Sequence, residues 1–220
     1  MKRYLPFVII ASVLVAAIGA GVWMFRSAQP NPATTPAATP ALAGGPVASP
    51  DVATSKGVVI IEEFGDYQCP PCGALHPILK TLKSEFGDRI KLIFRHFPLT
   101  TIHKHALEAS FAAAAAGLQG KFWEMHDTLY ENQSTWSDVG DFRPVAINYA
   151  RRIGLDVQRF TQDMDGLKVM GLVSADEQRA NAFSVNSTPT VFIDGRLVAN
   201  ENMTVDGMRK EINQRLSVSP

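Results

Sequence analysis

The sequence predicts an α/β domain whose sheet-forming segments are split by a long all-helical insertion. Three observations carry this. β-Branched runs at Val58–Phe64 and Ile90–Phe97 bracket a segment of helical apolar spacing; residues 102–184 are helical in pattern throughout; strand signals return only at Thr190–Val198. At 220 residues, 46% hydrophobic and 19% charged, the chain has the apolar material for a proper core. Its 21 basic and 21 acidic residues cancel, and no basic patch stands out, which argues against a nucleic-acid partner.

Residues 1–26 come first. Lys2 and Arg3 precede an uncharged stretch from Leu5 to Phe25, closed by Arg26. As a helix it would be about 31 Å long, against a hydrocarbon core of about 30 Å. Two readings stand: an uncleaved transmembrane anchor, or a secretory signal cut near Ala17–Ala20. The apolar stretch continues through Val22–Phe25, with Trp23 suited to the lipid–water boundary, and this favours the anchor. The cations before the span favour a cytoplasmic N-terminus, so both readings export everything beyond Arg26. Residues 27–55 are rich in Pro, Ala and Thr, with too few large apolar side chains to fold. They read as a flexible linker spanning on the order of 30 Å.

The domain proper starts near Lys56. Val58–Phe64 is a buried strand, Leu75–Phe86 a helix stopped by Gly87-Asp88 and expected to kink at Pro77, and Ile90–Phe97 a second strand. A strand–helix–strand unit of this kind favours a parallel pair. Helices are then expected at Ala106–Ala116, Lys121–Glu131, Val139–Ile153, Asp156–Met164 and Ser174–Phe183, punctuated by glycines. Thr190–Ile193, Asp194-Gly195 and Arg196–Val198 form a hairpin signal. A last helix is expected at Val205–Leu216, with Thr204 as its cap. Residues 56–100 and 185–220 thus make one domain, and residues 101–184 a helical insertion.

The chemistry sits at Cys69-Pro70-Pro71-Cys72, which are the only two cysteines. They follow a buried strand and open a helix. Free N–H groups and the positive end of the dipole favour a thiolate at Cys69 there, and Pro70 at the first helical position loses no bond. A thiolate is the species that attacks a disulfide. Cys69 is therefore the expected nucleophile, and Cys72, one turn on and less exposed, the resolving thiol. Two cysteines three apart are no disulfide framework, and a structural bridge over so small a loop would stabilise little. A zinc site completed by His103, His105 or His126 lacks recognisable spacing, so no metal is expected.

Glu63–Cys72 (EFGDYQCPPC), Phe94–Leu99 (FRHFPL) and Ser187–Gly195 (STPTVFIDG) together resemble the DsbA-like thiol–disulfide oxidoreductases. The resemblance spans roughly residues 56–215. It implies a thioredoxin-like fold interrupted by an all-helical domain, and oxidation of dithiols in exported proteins. It also implies that Pro189 is cis and faces the cysteine pair, presenting the Thr188 backbone to an extended substrate chain. Glu63 would be a partly buried acid that moves protons to and from the inner thiol, its neighbour Glu62 pointing to the opposite face. The alternative for both is a pair of surface charges closing a strand. Pro71 departs from the Pro-His version of the motif. It offers neither charge nor N–H, so Cys69 should be less acidic, and the protein a weaker oxidant, than a Pro-His relative. His76, His96, Phe122, Trp123 and the Ala112–Ala116 run are expected to serve packing.

The expected activity is that of a dithiol oxidase with no cofactor beyond a redox-active Cys69–Cys72 disulfide. Its partners would be exported proteins bearing cysteine thiols and a quinone-linked membrane oxidase. It would act as a monomer on the periplasmic face of the inner membrane, or free in the periplasm if the signal is cut. The competing readings are a disulfide reductase or isomerase, and a chaperone-like module whose helical insert holds clients.

Overall fold

The computed structural model describes residues 57–218. Residues 1–26 and the linker at 27–55 lie outside that range; among the described residues no helix is long and apolar enough to cross a membrane. A four-stranded sheet is ordered β2-β1-β3-β4, with β1 Val59–Gly65, β2 Ile90–His96, β3 Thr190–Ile193 and β4 Arg196–Leu197. β1 and β2 are parallel, Val59 opposite Ile90 through Gly65 opposite His96, because helix α1 (Pro70–Phe86) carries the chain back between them. β3 runs antiparallel to β1, and Asp194 and Gly195 turn it into β4 with φ of 48° and 75°. Both positive values are what a two-residue primed turn requires. Asp194 also accepts the Ile60 N–H at 2.8 Å, extending the β1 pairing past the last strand residue.

The insertion comprises α2 (Ala106–Gly117), α3 (Phe122–Glu131), α4 (Gln133–Trp136), α5 (Arg143–Arg152), α6 (Val157–Met164) and α7 (Leu167–Ala182); α8 (Val205–Val218) closes the chain. Ala109, Ala112, Ala113 and Ala116 of α2 are buried, and their small side chains let α3, α6 and α7 approach closely. Trp136 is fully buried and donates its indole N–H to the Leu129 carbonyl at 2.8 Å. Thr204 caps α8 by accepting the Gly207 N–H.

Three element boundaries differ from expectation. α5 starts at Arg143 rather than Val139, because Pro144 suits a first turn and Asp141 accepts the Arg143 N–H ahead of it. α7 starts at Leu167, seven residues early: Leu167 is 87% exposed and only Val169 and Val173 are buried there, so the first two turns carry almost no amphipathic signal. α4, four residues long, has no periodicity to read.

Adjacent residues of β1 serve opposite layers. Val59 and Ile61 pack with Leu75, Leu79 and Leu82 of α1 and Met208 and Ile212 of α8. Phe64 packs on the other face with Ala180, Val185 and Phe192. On that second face lies a buried ionic network. Arg95 donates to Glu62 at 2.6 Å and to Asp176 at 3.1 Å; Arg179 grips Glu62 at 2.5 and 2.9 Å; Asp176 also accepts the His96 N–H. Burial pushes the Glu62 carboxyl up, but Arg179 and Arg95 outweigh it and hold the acid below its ordinary value. The network ties β1 and β2 to α7.

Arg95 is the shared donor, 1% exposed. Burial already raises Asp176 to about 8, so replacing Arg95 by Met leaves it a buried carboxyl short of a donor and Glu62 with Arg179 alone, and the expected loss is about 1–3 kcal/mol in denaturant unfolding. A loss under about 1 kcal/mol would show that the network contributes little.

Candidate redox site

The chain leaves β1 at Gly65 and enters α1 at Pro70 through a loop pinned on several sides. Gly65 is itself constrained, since a Cβ there would meet the Phe94 ring at 2.4 Å. Asp66, fully buried, accepts the Gln68 N–H at 2.7 Å and the Leu99 N–H at 2.9 Å, and lies 2.7 Å from His103 Nδ1. Its carbonyl receives the Cys69 N–H. From α4, Gln133 donates to the carbonyls of Tyr67 and Cys69 at 2.7 and 2.9 Å. A Cβ on Gly73 would stand 2.5 Å from the Gln133 Oε1, so a side chain directly after Cys72 would push the Gln133 amide out of this position. Sequence reading weighs His103 only as a zinc ligand and singles out neither Asp66 nor Gln133; Asp66 lies within a quoted motif, while Gln133 carries no signal because its helix has none.

Cys69 is the N-cap of α1, 4% exposed, and Cys72 is fully buried one turn on; both are free thiols. Pro70 and Pro71 are exposed beside them. The Cys69 thiol is lowered from 9 to about 6. The largest cause is a hydrogen bond from the Cys72 thiol; burial opposes it, and the Thr188 side chain and the Cys72 backbone N–H assist. Sequence reasoning put the helix start first. With two prolines in the first turn, Pro70 and Pro71 present no N–H, so the first backbone donor is that of Cys72 and the partner thiol takes the leading role.

The Thr188–Pro189 bond is cis, and Thr188 lies against the cysteine pair: its carbonyl accepts from Cys69 Sγ at 3.4 Å. With Cys69 protonated, Thr188 Oγ1 is buried and has no partner among the described residues. Ionising Cys69 gives that hydroxyl an acceptor.

Glu63 and Glu62 are both buried, at 4% and 6% exposure, so the surface-charge alternative does not hold. Glu63 faces the α1 side, its Oε1 without a hydrogen bond among the described residues, and burial followed by repulsion from Cys69 raises it from 4.5 to about 8. Cys72 is pushed well above 9 by burial, then by its hydrogen bond to Cys69 and the charge of Glu63. Near neutrality the site therefore holds a Cys69 thiolate, a Cys72 thiol and a protonated Glu63. That is a nucleophile, a resolving group and a proton source in one place. Around them pack Tyr67, Phe94, His96, Phe122, His126 and Tyr130, and burial drives His96 down to about 3, keeping it neutral. Trp123 is half-buried rather than part of the sealed core.

A family model described as Thioredoxin matches residues 53–214. Among solved structures, BdbD from Bacillus subtilis superposes with a TM-score of 0.66 at 20% identity, covering 80% of this chain and 98% of that one. A thioredoxin-like oxidoreductase from Silicibacter pomeroyi gives 0.61 at 23% identity, over 74% and 89% of the two chains. The thiol-disulfide exchange protein alpha-DsbA2 from Wolbachia pipientis gives 0.60 at 21%, over 74% and 84%. At these identities the likeness is one of fold: a thioredoxin-like sheet with a helical insertion. Among curated proteins, the Na(+)/H(+) antiporter NhaA 1 of Salinispora arenicola is 40% identical over 139 residues, 63% of this chain. The chain spans about a fifth (20%) of that relative's length.

Two predictions follow from the site's electrostatics. Followed by thiolate absorbance, Cys69 should titrate near 6, and Cys72→Ala, which removes the strongest donor, should move the midpoint up towards 9; an unmoved midpoint would transfer the effect to the helix start. For Glu63 the folded value lies above the unfolded one, so the folded state binds the extra proton and stability falls as pH rises from about 4.5 to about 8. In the dithiol form Cys69 works the other way between about 6 and 9, so the oxidised protein isolates Glu63. With no Cys69 charge to repel Glu63, the oxidised form's window closes below about 8, and within it stability relative to Glu63→Gln should fall by up to about 1.4 kcal/mol per pH unit. A flat difference would mean that Glu63 is already ionised.

Proposed function

The chain belongs to the thioredoxin family, and from that membership and the cysteine geometry we propose that it is an extracytoplasmic thiol–disulfide oxidoreductase that passes a Cys69–Cys72 disulfide to dithiols of exported proteins. One observation carries the reading. Two thiols a turn apart are pushed in opposite directions, Cys69 down to about 6 and Cys72 up, next to an acid held protonated.

The steps use that asymmetry. A substrate thiolate attacks Sγ of Cys69 in the oxidised pair; the S–S bond breaks and its electrons go to Cys72. Because Cys72 is a strong base in its buried place, it takes a proton at once, and Glu63, protonated near pH 7, is the group to give it. The substrate's second thiolate then attacks the substrate sulfur of the mixed disulfide, and Cys69 leaves as a thiolate. The substrate has lost two electrons and two protons. The electrons sit in the Cys69–Cys72 dithiol, one proton is on Cys72, and Glu63 is recharged from water. Thr188 Oγ1 and the Cys72 thiol stabilise the departing Cys69 thiolate. Reoxidation requires an external two-electron acceptor, for which a quinone-linked membrane oxidase has the right chemistry.

Direction depends on the stability of the reduced form. A thiol of about 6 gains about 1.4 kcal/mol at pH 7 over an unshifted one, which makes the pair about 30 mV more oxidising. Reference cysteines lie at about 3.5 in DsbA and about 7 in thioredoxin. Cys69 falls between them. The anchor expected at residues 1–26 and the linker at 27–55 would hold the domain at the periplasmic side of the inner membrane, beside such an oxidase and within reach of emerging chains.

Equilibration with glutathione should give a potential between about −270 and −120 mV, the thioredoxin and DsbA values, with the pair oxidised at rest in cells. A potential at or below the thioredoxin value with a reduced resting pair would assign the chain to disulfide reduction instead.

A further inference from the structure

Behind the redox pair a cavity of about 620 Å³ opens between β1, β2, α1 and α3. Three of the lining residues with metal-ligand atoms fall in one cluster: His76 from α1, and His126 and Asp127 from α3. These atoms lie within 4.8 Å of one another. None of the redox steps above uses them.

The donors are set up unlike ordinary packing residues. His76 is 6% exposed, and its Nε2 is buried with no hydrogen-bond partner among the described residues, 3.5 Å from Asp127 Oδ1. A buried polar atom left unmatched costs free energy, and sequence reading, which assigned His76 to packing, gave no reason for it. His126 is 4% exposed, and its Nδ1 lies 3.1 Å from the Tyr67 hydroxyl. When Nδ1–H donates to that oxygen, Nε2 carries a free lone pair and the ring is held in orientation, as ligating histidines commonly are. Burial keeps both rings in the neutral, ligating form.

We propose that His76, His126 and Asp127 form a binding site for a divalent transition ion of the zinc class, with its remaining coordination open to the cavity. Two imidazoles and one carboxylate suit Zn²⁺ and exclude Mg²⁺ and Ca²⁺, which require all-oxygen shells. The site is independent of the cysteines: it joins the redox helix to the insertion rather than sulfur to metal. Of the cavity's cations Lys80, Lys83 and Lys91, Lys80 is the one that pairs with Asp127 and opposes an ion there. Lys80 Nζ lies 3.2 Å from Asp127 Oδ2 and 2.7 Å from Glu131 Oε1, half-exposed, but it leaves Asp127 Oδ1 free for an ion. Glu63 lines the same cavity from β1. A contiguous motif search misses the site because His76 and His126 are 50 positions apart and meet only when α1 docks on α3.

The test uses the full chain in detergent with Cys69–Cys72 oxidised, so that no thiolate competes. Calorimetric titration with Zn²⁺ should show one equivalent bound, and Zn²⁺ should raise the unfolding temperature. His76→Gln and Asp127→Asn should each weaken binding about tenfold or more and abolish the thermal shift. Lys80→Ala should tighten binding, since it removes the opposing charge. Asp127 is 37% exposed, so its variant keeps the test open should His76→Gln fold poorly. No saturable binding by the oxidised chain, or equal binding by the wild type and Asp127→Asn, overturns the proposal.

Discussion

The site depends on keeping one sulfur charged where there is almost no water. Cys69 is 4% exposed, and burial alone would raise its thiol. Its charge is supported by three donors that the fold must bring within reach: the Cys72 thiol, the Cys72 N–H and the Thr188 hydroxyl. Two of these come from one turn of helix. The third arrives from a segment 119 residues away, which reaches the pair only because β3 lies against β1 in the sheet. The sheet is thus part of the electrostatics and not a mere scaffold.

Donors within reach act only when the sulfur is held still. The loop before Cys69 has its carbonyls bonded by Gln133 and its side-chain acid Asp66 bonded by backbone from residues 68 and 99. These are buried or half-buried bonds, each contributing about 1 kcal/mol net, but their geometric effect matters more than their sum. Gly73 shows how close the fit is: the clamp and a side chain at that position cannot share the space. The insertion therefore does more than flank the redox domain. α4, its shortest helix, supplies the residue that fixes the Cys69 backbone.

What the sequence disclosed follows the reach of its signals. The β1-α1-β2 unit and the β3–β4 hairpin were legible because β-branched runs, an apolar helical period and Asp194-Gly195 act locally. So was the helical character of the insertion, through the alanines of α2 and the period of α3. The start of α7 was not, because Leu167 and Met170 face outward and the buried positions are too few to mark a face. Within the site, Cys69, Cys72 and Glu63 could be singled out since they stand in one segment of ten residues. Gln133 and the His76–His126–Asp127 cluster could not, since each depends on tertiary docking that leaves no trace in spacing. The leading cause of the Cys69 shift is out of reach for a related reason: helix position can be read from sequence, but a thiol–thiol hydrogen bond requires coordinates.

Glu62 and Glu63 show most directly how the fold assigns chemistry. They are the same residue type, adjacent and both buried, yet one is held ionised and the other protonated. The pleat turns Glu62 to the α7 face, where Arg95 and Arg179 offset the cost of its burial. It turns Glu63 to the α1 face, where no cation among the described residues pairs with it and Cys69 repels it. A one-residue slip of β1 against β2 and β3 would exchange them, placing a fixed charge behind the thiols and an uncompensated acid among the arginines. The register of β1, set by apolar residues that never touch sulfur, therefore decides which carboxyl can carry a proton.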